Sequence, residues 1–431
     1  MRKTLSELLS KNIFARNVAI LVGGTAFSQF LIALSLPILT RLYSAEDFSH
    51  LAVYMALMGI FTVIACLRFN LAISLPSDDE DGLSLTAVSL VSGLFFSILL
   101  SVPVAFYPRE ISVLIGRPSF EPYLWMVPFG VFLASNYTAL QYWSARKRRF
   151  GLITRTKFSQ AIGGAGSQLV AGAFHASPFG LIFGHMLFGG LGLFGLLRAV
   201  FKNEPNLINK LRFRRIGALI VAYKRFPLYS VPEALFNTAG IQVPVLVVAA
   251  YAVGPEAGYL MLAMRVLGLP MGLIGRSVSQ VFLAEAPQKQ RDGELSRFTR
   301  KATIALAKIG FFPLITAGVL SPYLFPYIFG VEWTRAGDLV LWMVPWFLMQ
   351  FITAPVSVVL HVTGDLAAAM YLQFFGFVLR VASVVFAVFF VSDFVVEVYA
   401  ISGFAFYCVY LCVIYAAVKK NDRLGGARDY R

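Results

Sequence analysis

Leu124-Trp125-Met126-Val127-Pro128 recurs as Leu341-Trp342-Met343-Val344-Pro345. A five-residue identity that includes Trp, Met and Pro is hard to reach by chance, so an internal repeat is expected. The same offset, within a few residues, relates Ile115-Gly116 to Phe329-Gly330. It also relates Tyr43-Ser44-Ala45-Glu46 to Tyr251-Ala252-Val253-Gly254-Pro255-Glu256. Both copies of the motif lie in long apolar runs, one in each half of the chain.

Those runs dominate the composition. The 431 residues are 58% hydrophobic and 14% charged, with mean hydropathy +0.73, whereas a soluble domain carries about 25% charged residues. The chain is therefore read as an all-α integral membrane protein without a separate soluble or catalytic module. Its net charge of +15 would indicate nucleic acid in a soluble protein. Mapped against the membrane the charge is topological, and no nucleic-acid partner is expected. Cys66, Cys408 and Cys412 are odd in number and lie in apolar runs, a pattern unsuited to a disulfide framework or a metal site.

At about 20 apolar residues per span, twelve spans are predicted: 17–39, 48–72, 83–107, 120–143, 152–173, 178–201, 228–251, 256–283, 303–328, 336–361, 366–391 and 394–418. The first run, Val18 to Leu39, is too long for a signal-peptide core and lacks a following small-residue cleavage pattern. Ahead of it, Leu5, Leu8, Leu9, Ile13 and Phe14 alternate with Lys3, Lys11 and Arg16. Segment 1–16 is accordingly expected to be a cytoplasmic interfacial helix. The division expected is an N-lobe at 17–201, a basic linker at 202–227, a C-lobe at 228–418 and a tail at 419–431. Six spans per repeat give both lobes one orientation, the parallel-repeat arrangement in which transporters place the substrate path between halves.

With the N-terminus inside, the cytoplasmic segments collect Arg146, Lys147, Arg148 and Arg149, then Lys202, Lys210, Arg212, Arg214 and Arg215, and further groups at 291–301 and 419–431. The outer loops hold only Arg41, Arg109, Arg117 and Arg335. The asymmetry places both termini in the cytoplasm. The acidic run Asp78-Asp79-Glu80-Asp81 falls in a cytoplasmic loop, where pairing with the basic linker fits better than a metal site, because four consecutive acids cannot converge on one ion.

A charge at bilayer depth is costly and marks a polar interior. Arg265 and Arg380 both sit inside long apolar runs. Arg265, Gly268, Gly272, Arg276 and Ser279 recur at steps of three or four and are predicted to share one helix face. Helix packing explains Gly268 and Gly272 but not the arginines. Glu233, Asn237, Gly240 and Pro244 form a similar stripe on span seven. For Glu233 a proton or cation relay and a salt bridge to Arg265 or Arg276 are both open. Asn17, Gly24, Ser28 and Ser35 line span one, Arg68 and Asn70 close span two, and Gln373, Gly376 and Arg380 line span eleven. Ordered by depth, Arg41, Arg265, Arg380, Arg68 and Arg276 form a ladder suited to a phosphate-bearing anion, which guanidinium groups bind in a bidentate fork.

Several stretches resemble a known family. Leu39-Thr40-Arg41-Leu42-Tyr43-Ser44-Ala45-Glu46-Asp47-Phe48, Arg68-Phe69-Asn70-Leu71-Ala72-Ile73, Gly254-Pro255-Glu256-Ala257-Gly258-Tyr259, Arg265-Val266-Leu267-Gly268-Leu269-Pro270 and Ser279-Gln280-Val281-Phe282 are similar to the signatures of bacterial Wzx-type oligosaccharide flippases. The resemblance covers essentially the whole chain. It implies two six-helix lobes of the kind found in multidrug exporters (MATE-like) and lipid II flippases. The implied substrate is an undecaprenyl-diphosphate-linked oligosaccharide moved from the cytoplasmic to the periplasmic leaflet of the bacterial inner membrane. Arg41, Arg68 and Arg265 carry over as family arginines. Ala45 replaces a common Pro, and Asn70 stands where an acidic residue usually follows the Arg-aromatic pair, which shifts the expected coupling role to Glu233.

The resulting expectation is a non-enzymatic, alternating-access transporter serving O-antigen, capsule or exopolysaccharide synthesis. H+ or Na+ coupling (antiport) is expected in place of a cofactor, since no P-loop is present. Membrane lipids, a polysaccharide polymerase and a chain-length regulator are the further expected partners. An organic-cation exporter on the same fold would need an acidic cavity, and a membrane glycan polymerase or ligase would need a large outer loop.

Overall fold

The computed structural model describes residues 13–210, 212–252, 254–363 and 365–426. The expected interfacial helix at 1–16 lies almost wholly outside them. Among the described residues the chain is helical throughout, with no strand. The principal helices are α1 (Ile13–Leu42), α2 (Ala45–Ala65), α3 (Asp79–Phe106), α4 (Met126–Arg146), α5 (Phe150–Phe174), α6 (Pro178–Gly190), α7 (Leu193–Asn203), α8 (Phe213–Ala222), α9 (Val231–Tyr251), α10 (Glu256–Pro270), α11 (Arg276–Arg291), α12 (Leu295–Phe329), α13 (Thr334–Thr353), α14 (Leu366–Phe390) and α15 (Val395–Gly426). Each of the twelve expected spans falls on helix. Eight stretches among the described residues are long and apolar enough to cross a membrane, and the chain is a multi-pass membrane protein.

The helices form two compact units. The first comprises the chain to Tyr43 and Tyr54–Leu235, and the second Ser44–Val53 and Phe236–Arg431. This differs from the expected lobes, because the linker at 202–227 falls entirely in the first unit and the boundary lies inside α9. Ion pairs account for the linker's place. Arg215 pairs with Asp78, Glu80 and Asp81, and Lys210 with Glu80. Arg146 and Lys147 both pair with Asp79, while Glu204 takes Arg149 at 2.6 Å. The acidic run is thus occupied by basic side chains, as its position opposite the linker implied.

Within the first unit α1 packs on α5, α5 on α6, and α3 on α4. The Gly-rich composition of spans five and six has a direct structural use. A Cβ on Gly164 would lie 2.9 Å from the Gly184 carbonyl oxygen, and one on Gly184 would lie 2.6 Å from that of Gly164. Only glycine permits the two backbones to approach so closely.

In the second unit α12 and α13 form a tight pair joined at Gly330, with α13 also packing on α10 and α15. Gly330 has φ 110° and ψ 158°, a region that is essentially glycine-only. Its counterpart in the repeat, Gly116, also has positive φ, 76°. Within the repeated motif Met126 and Met343 are fully buried and Trp125 and Trp342 about half exposed, whereas Leu124 and Pro128 are buried and Leu341 and Pro345 exposed. The first copy begins α4, whereas the second lies inside α13.

Candidate functional site

The second span does not continue to residue 72 as one helix. α2 ends at Ala65, Leu67 and Arg68 adopt left-handed backbone with φ 47° and 60°, and a single turn, Phe69–Ala72, follows. Non-glycine residues in that region store on the order of 1–3 kcal/mol each, and such strain gathers at functional sites. Phe69, Asn70 and Ala72 are buried, and their turn packs against the π-helical turn Phe226–Ser230 that precedes α9. The kink thus lifts Arg68 into a half-buried position. Its Nε is buried without a hydrogen-bond partner, and Glu233 in the first turn of α9 acts on it electrostatically.

The salt-bridge alternative for Glu233 named Arg265 or Arg276; the structure adds Arg68, in the same unit as Glu233, as a guanidinium within its electrostatic reach.

In the second unit, Arg265 is half-buried on α10 and makes no ion pair among the described residues. The predicted stripe beyond it is interrupted. Pro270 ends α10, Met271–Gly275 forms a π-helical turn, and α11 restarts at Arg276. A π-turn bonds i to i+5 and shifts the register, so one regular α-helical face cannot carry both arginines. The side chains of Arg276 and Asn17 lie outside the described residues.

Arg380 does not face an opening. It is 1% exposed, lies 4.1 Å from the Phe406 ring centre and 5.6 Å from that of Tyr407, and its Nε and Nη2 have no hydrogen-bond partner. Gly240 on α9 makes room for it, since a Cβ there would stand 3.2 Å from the guanidinium. Gln373 is buried on α14, the helix that carries Arg380, its Nε2 3.5 Å from the Tyr410 hydroxyl. Ser28 is satisfied within α1 by donating to the Gly24 carbonyl oxygen at 2.8 Å. Arg41 and Asn237 are exposed on α1 and α9. The structure therefore sets Glu233 within electrostatic reach of Arg68, two residues from the buried Asn70, and buries Arg380 and Gln373 in a helix bundle.

Another charged cluster was not anticipated. Arg335 pairs with Glu256 at 3.0 Å and with Glu397 at 2.8 Å, tying the beginnings of α10, α13 and α15 together. A cavity of about 210 Å³ beside it is lined by Glu256, Arg335, Ser392 and Asp393. The available signal was that Arg335 is charged in an outer loop otherwise poor in basic residues. No group of metal-ligating side chains occurs among the described residues.

A family model described as polysaccharide biosynthesis protein matches residues 38–338. The chain belongs to that family. The match includes Arg41, Arg68, Glu233 and Arg265 and stops before Arg380. Among solved structures, the family member resembles the lipid II flippase MurJ in an inward closed conformation, with 15% identity and TM-score 0.70 over 94% of this chain and 90% of that one. It also resembles an inward-facing multidrug resistance MATE family transporter of the MOP superfamily (14% identity, TM-score 0.63, covering 92% of this chain and 99% of that chain). A eukaryotic MATE transporter, AtDTX14, is similar at 13% identity and TM-score 0.63 over 96% and 98% of the two chains. No curated protein matches. The fold is that of these transporters, and the named neighbours are transporters and a flippase rather than enzymes.

Proposed function

We propose that this protein translocates an undecaprenyl-diphosphate-linked oligosaccharide from the cytoplasmic to the periplasmic leaflet of a bacterial inner membrane, both termini lying in the cytoplasm. Polysaccharide-family membership and the likeness to a lipid II flippase support the reading. The observation that carries it is Arg68, a strained and half-buried guanidinium whose Nε is left without a partner. A planar fork of this kind is suited to a diphosphate, and removing that charge from water is offset when an anion meets it. Arg265, which makes no ion pair among the described residues, offers a second guanidinium on the other unit. An organic cation would be repelled by both, so the cation-exporter alternative is disfavoured.

Glu233 supplies a route to ion coupling. Ionised, it offsets the charge of Arg68; protonated or cation-bound, it leaves that charge to the diphosphate. Alternating access driven in this way, as H+ or Na+ antiport, would feed O-antigen, capsule or exopolysaccharide assembly, with a polymerase and a chain-length regulator acting downstream. The test is transport of a fluorescent lipid-linked oligosaccharide by full-length protein in liposomes. Arg68→Ala and Arg265→Ala should each lose at least tenfold in rate, with Lys retaining part, and Glu233→Gln should transport independently of an imposed gradient. Full activity of both alanine variants refutes the diphosphate assignment, and unchanged gradient dependence in Glu233→Gln refutes the coupling role.

A further inference from the structure

The linker between the halves holds seven Lys and Arg, at 202, 210, 212, 214, 215, 224 and 225, against one acid, Glu204. The structure sorts them into two groups. Lys210 and Arg215 are spent on the acidic run of the first unit. Lys202, Arg212, Arg214, Lys224 and Arg225 are exposed and form no ion pair among the described residues.

Helix α8 shows which apolar residues accompany these free charges. Its inner side carries Arg215 and the buried Leu219, and it packs on α3. Its other side presents Gly217, Ala218, Ile220 and Val221, with Ile220 41% and Val221 64% exposed. A helix on a protein facing water turns its charges outward and its apolar residues inward. Here the ionic anchor faces the protein and the apolar side faces away, with Arg214 one helical turn from Ala218 and two from Val221. Leu228 and Tyr229, just before α9, are 60% and 61% exposed and extend the apolar rim. Exposed aliphatic and Tyr side chains flanked by unpaired Lys and Arg are the composition of a segment seated at the headgroup level of a bilayer.

We propose that the linker is a lipid-binding strap. α8 lies in the cytoplasmic interface with Ile220 and Val221 among the acyl chains, and Arg212, Arg214, Lys224 and Arg225 bind the headgroups of anionic phospholipids. Charge complementarity selects that occupant, since four unpaired basic residues beside an apolar helix face match an anionic leaflet and repel a basic protein partner. The Asp78–Asp81 clamp holds the inner side of the strap while lipid holds the outer side. The inference does not depend on the substrate assigned above.

The experiment uses full-length protein in nanodiscs of phosphatidylcholine with or without phosphatidylglycerol. Native mass spectrometry measures retained phosphatidylglycerol, and a fluorophore at Val221→Cys, in a background with Cys66, Cys408 and Cys412 replaced by Ala, reports depth. The label should be quenched by lipid-borne quencher and shielded from aqueous iodide. Each Arg or Lys→Gln change among the four should weaken phosphatidylglycerol retention by about fivefold at low salt, whereas Lys in place of Arg should preserve it. These variants keep Lys210 and Arg215, so the clamp remains intact. Iodide-accessible Val221, retention unchanged in the quadruple Gln variant, or protection of Val221 only in a dimer would each overturn the proposal.

Discussion

Replacing Arg380 by Met should make this protein more stable. Arg380 lies ten residues from the end of α14 at Phe390, about 15 Å along the helix at 1.5 Å per residue, and so near the middle of a hydrocarbon core about 30 Å thick. A fixed charge there costs about 3 kcal/mol. The rings of Phe406 and Tyr407 return about 2 kcal/mol through cation–π attraction. Among the described residues no carboxylate pairs with the guanidinium, and two of its nitrogens are buried without acceptors. The difference, about 1 kcal/mol, is the gain expected when an apolar side chain of similar length fills the same space beside Gly240. Arg380→Ala should instead lose stability, because it removes the packing as well as the charge. Thermal unfolding of the purified protein in one detergent, read by intrinsic fluorescence, ranks the three forms. The order Met, wild type, Ala is expected, with transport reduced in the Met variant despite its stability, since a charge held at such depth is by default functional. A Met variant that unfolds at or below the temperature of the Ala variant would show that the guanidinium has a stabilising partner, and the reasoning would fail.

Other outcomes follow from particular contacts. Gly330→Ala should cost about 1–3 kcal/mol, because φ 110° and ψ 158° exclude a Cβ; chemical denaturation that leaves the midpoint unmoved would contradict this. Gly164→Val should be worse tolerated than Ala at the same site, and an unchanged melting temperature for either would mean that the α5–α6 approach is looser than the 2.9 Å contact implies. The linker clamp should respond to acid. The Lys147 hydrogen bond holds the Asp79 carboxyl below its usual range, and that of Lys210 does the same for Glu80. A depressed carboxyl stabilises above its unfolded pKa, near 4, and loses that contribution as pH falls through the folded value. Limited proteolysis within 204–212 should therefore accelerate below about pH 4 and in high salt, and a rate flat across both would remove the ionic account of the clamp.

Much of the architecture was legible in the chain itself. Span positions follow from hydropathy because a bilayer forces each backbone polar group to be satisfied within its own helix. The repeat was legible because the Leu-Trp-Met-Val-Pro step and a positive-φ glycine ahead of it occur in both copies, as Gly116 and Gly330 show. The pairing of the acidic run with the basic linker followed from charge alone.

Regular helical periodicity could not foresee the breaks, and the breaks govern the candidate site. The left-handed step at Leu67–Arg68 and the π-turn at Met271–Gly275 are local departures from 3.6 residues per turn. The first sets Arg68 within electrostatic reach of Glu233, and the second separates Arg265 from the register of Arg276. Periodicity also treats every charged residue in an apolar run alike. Tertiary packing distinguished them: Arg380 became enclosed by aromatic rings, Arg68 stayed half-buried with an unpaired Nε, and the linker arginines divided into those held by carboxylates and those left exposed. Sequence determined that these charges exist and roughly how deep they sit. Which of them keep an open valence was decided by the neighbours that folding brought within a few ångströms, because the cost of a buried charge depends on its partners and not on its position along the chain.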